Sequence, residues 1–174
     1  MAVDMLDFGS EELYFDEPMQ DETRQCLDEA AQLYGETEAE QLLMRAYFLE
    51  PEHPVVLVAL YRYFFYQHRY RDALLIAERV LHLFATRLGL PERWQDLSEM
   101  QIGSGVMVSM TYIRFYMLAL KGAGYLELRL GDYESALQRL HKVVEIDSND
   151  RLGAAALLQV AQDYLNYNTS LASA

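Results

Sequence analysis

The chain is short of the residues that cross-link and punctuate a fold. Its one cysteine, Cys26, excludes an internal disulfide framework and suits a reducing compartment. Four prolines and nine glycines in 174 residues are too few for a loop-rich sandwich and favour long regular elements. Long apolar runs are missing too. The most apolar stretches, Val55 to Leu60 and Val106 to Leu120, are broken by arginine or end too soon to span a bilayer. No basic stretch followed by an apolar run opens the chain, so no secretory signal is expected. Bases are scarce, 14 Lys and Arg against 27 Asp and Glu, and the net charge is −13. A phosphate backbone needs a basic face, so nucleic acid is not an expected partner. The expectation is a soluble, cytoplasmic protein with no membrane partner.

What is present is enough for one core. With 52% hydrophobic residues the chain is too apolar to stay disordered. The acid is unevenly spread: residues 1–40 hold 13 acidic residues and one basic one, Arg24, whereas residues 41–174 hold 14 and 13. This reads as an acidic flexible arm over 1–18, carrying Met5, Leu6, Phe8, Leu13, Tyr14 and Phe15, attached to a balanced body over 19–167. A loose tail is expected over 168–174. Helices are predicted at about 20–34, 37–50, 54–67, 70–87, 105–130, 132–147 and 150–166. An insertion at 88–104 separates the fourth from the fifth. It contains a short helix within 92–100 and Trp94, the lone tryptophan, read as a packing anchor. The last helix shows one apolar stripe through Leu152, Ala156, Leu157, Val160, Ala161, Tyr164 and Leu165, as a capping helix would.

Three segments repeat a pattern: Glu38-Ala39-Glu40-Gln41-Leu42-Leu43, Asp72-Ala73-Leu74-Leu75-Ile76-Ala77 and Ser135-Ala136-Leu137-Gln138-Arg139-Leu140. Each places an alanine near a helix start and a small or β-branched residue seven positions on, at Ala46, Val80 and Val143. Ala39 and Ala73 are 34 residues apart; Ala73 and Ala136 are 63 apart, one such period plus an insertion. In the last unit Gly124-Tyr125-Leu126 sits in the first helix, Gly131-Asp132-Tyr133 makes the turn, and Glu145-Ile146-Asp147 closes the second helix.

On these residues the chain resembles the tetratricopeptide repeat (TPR) family. The resemblance covers residues 37–87 and 118–165 and implies an all-α fold. It would be a right-handed superhelix of antiparallel helix pairs, about three TPR-like units plus a C-terminal capping helix. Tyr61, Ala85 and Ser148 depart from the family pattern. The family's first helices line a concave surface, which maps here to Arg24 and Asp28, to Val58, Arg62, Phe65 and Tyr66, and to Lys121, Tyr125, Leu128 and Arg129, with Phe115 on the extended start of the last of these helices. The residues themselves support part of this, because Leu60 to Tyr66 is apolar almost all round and has a face left over once the core is packed. Arg62 and Tyr125 occupy the sites where carboxylate-gripping members carry asparagine, so that chemistry is not implied.

The implied function is a protein-binding adaptor or chaperone-like factor holding another protein or peptide segment in the concavity. Size and acidity are similar to those of the small TPR chaperones of bacterial type III secretion. The chain also resembles small TPR accessory factors that accompany nitrogenase, although no single motif carries that likeness. A further reading makes the aromatic surface a homo-oligomer interface of a self-associating scaffold. No enzyme, cofactor or metal is expected. His53, His68, His82 and His141 are far apart, are read as solvated, and none stands at ligand spacing from another or from Cys26. Gly103-Ser104-Gly105 lacks the rest of any phosphate loop or nucleophile elbow. Cys26 reads as a small buried hydrophobe.

Overall fold

The computed structural model describes residues 15–172, so the expected acidic arm lies outside the described residues up to position 14. Among the described residues every regular element is helical. No helix is long and apolar enough to cross a membrane. The chain divides into two compact units, one ending at Ile76 and one beginning at Ala77.

In the first unit α1 (Asp21–Gln32) and α2 (Thr37–Leu49) are joined by a turn containing Gly35 at φ 101°, a conformation that a side chain would strain. So short a connection returns α2 along α1. The facing stripes are small: Thr23, Cys26 and Ala30 on α1, and Ala39, Leu43 and Ala46 on α2, are all buried. α2 packs in turn on α3 (Pro54–Tyr66). His53 caps α3. Its Nδ1 accepts from Val55 N at 3.3 Å, and its Nε2 faces the Glu17 carbonyl at 3.4 Å, so the ring carries its proton on Nε2 and donates to that carbonyl. His53 is therefore buried and structural, not solvated as expected; His68, His82 and His141 are exposed.

The turn after α3 lacks glycine, and His68 takes the left-handed position instead (φ 57°), at a cost of about 1 kcal/mol. The turn is held by Arg69 N donating to Phe64 O at 2.9 Å. Its guanidinium also lies 4.6 Å over the Phe64 ring and bonds Glu40 and Asp72, each at 2.7 Å. The helix α4 (Tyr70–Leu88) starts there, with Ala73 and Ala77 fully buried, and runs on into the second unit.

The second unit departs from several expected boundaries. The insertion forms a single turn of 3-10 helix (Trp94–Asp96) and then α5 (Glu99–Val108). α5 opens on a reciprocal cap between Ser98 and Gln101, so Gly103-Ser104-Gly105 is helical and not the end of a loop. The helix expected over 105–130 breaks at Ser109, whose extended backbone (φ −162°, ψ 115°) ends α5 and whose Oγ caps α6 (Met110–Leu130). α6 packs against α5 and against α7 (Tyr133–Ile146). Gly131, at φ 82°, ends α6, and Asp132 caps α7 by accepting from Ser135 N at 3.2 Å.

The approach of α6 to α7 is close enough that a Cβ on Gly124 would stand 2.8 Å from Leu140 Cγ. Ala136, Leu140 and Val143 on α7 are fully buried. α8 (Ala155–Ala172) starts later than expected. Asp150 and Gly153 hold positive φ, while Asp147 and Asp150 accept from Leu152 N and Ala155 N at 2.8 and 3.0 Å. It also continues through the segment expected to be a loose tail.

Candidate partner-binding surface

In the first unit α1, α2 and α3 enclose an apolar groove of about 460 Å³. Leu27, Ala30 and Ala31 of α1, Leu43 of α2 and Ala59 of α3 form its walls, with Tyr34, Arg62 and Tyr66 among the lining. The alanines decide its shape, because two helices faced by methyl groups leave space that larger side chains would fill. Tyr34 follows α1 and stands edge-on to Tyr63 at 6.0 Å and to Tyr66 at 6.5 Å. Phe65 lies edge-on to Tyr66 at 5.5 Å, stacks on Tyr61 at 6.1 Å and meets Tyr70 at 6.1 Å. Each ring constrains the next, so the aromatic wall is preformed.

Of the six candidates in this unit, Arg62 and Tyr66 line the groove. Arg24 and Asp28 are exposed on α1, on the same face as Leu27 and Ala31 by helical spacing. Val58 and Phe65 are half-buried on α3. The sequence reading missed Leu27, Ala30, Ala31, Tyr34, Leu43 and Ala59. Tyr34, 49% exposed beside Gly35, is the one whose placement was visible as a large apolar residue at a turn.

In the second unit Lys121, Tyr125, Leu128 and Arg129 share one face of α6. Arg129 Nη1 donates to the Tyr125 hydroxyl at 2.9 Å, and its guanidinium lies 5.9 Å from that ring. Burial lowers the Lys121 ammonium from the usual lysine range, and the carboxylates of Asp150 and Asp147 offset part of that. Phe115 is not on this face. It is 4% exposed and packs edge-on against Phe84 at 4.9 Å, so it belongs to the core.

A buried ion cluster, not anticipated from the sequence, ties this unit together. Arg139 of α7 donates from Nε to both Glu127 oxygens at 3.1 Å and from Nη2 to Glu127 Oε1 at 2.7 Å and Glu78 Oε1 at 2.6 Å. Burial pushes the Glu127 carboxyl up, with Arg139 pulling part of that back. Burial also works against the Arg139 charge, but its carboxylate partners outweigh it and the guanidinium stays above its ordinary value. The Trp94 ring lies 5.0 Å from the same guanidinium. Lys142 Nζ donates to Leu97 O at 3.2 Å, a second tie between the insertion and α7. Among the described residues no three His, Cys, Asp or Glu side chains come together to hold a metal.

The described chain is thus an all-helical protein whose first unit presents an aromatic-walled apolar groove. It belongs to the same family as a protein of Azotobacter chroococcum mcd 1 described as an uncharacterized 19.8 kDa protein in the nifW 5' region. The two are 44% identical over 162 residues, which span 93% of this chain and 90% of the relative. No family model matches the chain, and no solved structure matches it significantly.

Proposed function

We propose that this chain is a cytoplasmic, non-enzymatic adaptor that serves nitrogenase or its assembly by holding a segment of a partner protein. The observation that carries the reading is the groove between α1, α2 and α3, apolar along its walls, with tyrosines and Arg62 among its lining. Such a surface suits an extended or helical segment with apolar anchors and a carboxylate, since rigid aromatics supply contact area at low entropic cost and arginine bonds a carboxylate directionally. Ala39, Ala73 and Ala136 are all fully buried, as the small junction residues of a TPR-type stack would be. The nitrogenase assignment draws on the relative, whose description places it in the nifW 5' region.

The test is direct binding, by calorimetry, of the full chain to purified nitrogenase component and maturation proteins. One of them should bind, and Arg62→Glu or Tyr66→Ala should weaken that binding at least ~10-fold with the helical content unchanged. Absence of binding to every one of them, or binding indifferent to both substitutions, sinks the proposal.

A further inference from the structure

We propose that α8 is a self-association surface whose occupant is α8 of a second copy of this chain. The last helix carries two apolar stripes. The inner one passes through Ala161, 0% exposed, and continues the line of Ala154 just ahead of the helix, 1% exposed. The outer one passes through Val160, Tyr164, Tyr167 and Leu171, exposed at 56%, 42%, 64% and 59%. Those four residues are spaced by four, three and four, the alternation of a coiled-coil seam, so the shape that fits them is another helix with the same spacing. Tyr164 is already braced, its ring stacked on Tyr133 at 3.7 Å, so one knob of the seam is fixed before any pairing.

Charge selects the second copy over a foreign helix. The chain carries 27 carboxylates and a net charge of −13, so most ways of bringing two copies together oppose acid to acid. α8 largely avoids this, because Asp163 is its only charged side chain, and Gln159 Nε2 bonds that carboxylate at 2.8 Å. The residues flanking the stripe are otherwise amides and hydroxyls such as Gln159, Asn166, Asn168 and Ser170. Each is both donor and acceptor, and therefore complementary to its own kind.

At the exposures above, the four side chains present about 450 Å² per copy, from the ordinary size of such side chains. A two-fold pair that covered all of it would remove about 900 Å² at the seam, short of the ~1,200 Å² of a standard interface, so the polar flanks supply the rest and the pairing is expected to be weak. None of this depends on the groove of the first unit or on its partner.

The test is light scattering on the full chain at concentrations from roughly 1 to 100 µM, which spans dissociation constants on the micromolar scale. The expected mass approaches twice 20.1 kDa at the upper end and falls towards 20.1 kDa on dilution. The double variant Tyr167→Glu with Leu171→Glu, which sets carboxylates on the seam of both copies, should weaken pairing at least ~100-fold and leave circular dichroism unchanged. Phe48→Glu, at an 81% exposed apolar position on α2, should leave pairing intact. In an independent readout, Tyr167→Cys should cross-link to its own copy on oxidation, the native Cys26 being buried. A monomer at every concentration, pairing that survives the double variant, or pairing lost in Phe48→Glu would each overturn the proposal. Partner binding that survives Arg62→Glu with the dimer intact would count against the groove alone.

Discussion

Arg139→Met tests whether the buried ion cluster or the surrounding packing holds the second unit together. The side chains of Arg139 and Glu127 are 7% and 6% exposed, so removing the cation leaves a carboxylate stranded in the core. Breaking such a pair costs ~3–5 kcal/mol. A small offset comes from Arg139 Nη1, a buried donor without a hydrogen-bond partner, whose removal returns about 1 kcal/mol. The net loss is ~2–4 kcal/mol, a fall in Tm of roughly 5–15 °C for a chain of this length. Glu78→Gln should cost under ~1 kcal/mol, because Glu78 is 44% exposed and water screens its share of the pairing. The double variant Glu127→Leu with Arg139→Met discards both charges and should return to within ~1 kcal/mol of the parent.

Urea unfolding followed through Trp94 is the assay, since the lone tryptophan sits 5.0 Å from the guanidinium and its emission reports the cluster directly. The pH dependence gives a second check. Burial already holds the Glu127 carboxyl above its ordinary value, and in Arg139→Met nothing pulls it back. The folded variant therefore binds a proton that the unfolded chain does not, and it should regain stability as pH falls through that raised value towards the ordinary carboxylate range. If Arg139→Met and the double variant lose equal stability, the loss is one of packing and the electrostatic reasoning is wrong.

Gly124→Ala places a methyl group 2.8 Å from buried Leu140 and should cost ~1–3 kcal/mol by chemical denaturation; an unchanged midpoint would mean that α6 and α7 separate freely. Ser98→Ala removes the reciprocal cap and should cost ~1 kcal/mol, seen as faster amide exchange confined to α5. Lys121 should titrate below the usual lysine range by NMR. Its lowered value means the folded chain binds less proton than the unfolded chain between the two pKa values, so stability should rise with pH across that window, and Lys121→Met should abolish this slope.

The helix pairs were legible because their signals agree across levels. Gly131 and Asp132 stop one helix and cap the next, and the structure uses both in that way. Ser98 with Gln101 three residues on is equally plain as a cap, yet Gly103 and Gly105 lower the helix propensity there. Packing decides otherwise: a Cβ on Gly105 would meet Ile113 Cδ1 at 2.5 Å, so the glycine that weakens α5 locally is what lets α6 approach it. The break at Ser109 was hidden for a related reason. Between Val106 and Leu120 only Ser109, Thr111 and Arg114 are polar, too few to fix a helical phase or to mark a break.

That missing phase also explains which candidate residues came together. On α3 the polar Arg62 marks the outward side, and Arg62 and Tyr66 both line the groove. On α6 only Arg114 is charged before Lys121, and Phe115, mapped from the family's first helices, lies in the core. α8 shows the opposite failure. Its apolar residues read as one stripe because Val160 and Ala161, and likewise Tyr164 and Leu165, are sequence neighbours; in the fold each pair divides, one member towards the core and the other less so. A helix needs one stripe to dock on its own chain. The second, four residues long and free of charge in a chain of net charge −13, costs solubility unless something covers it, and a helix of the same spacing is the simplest cover.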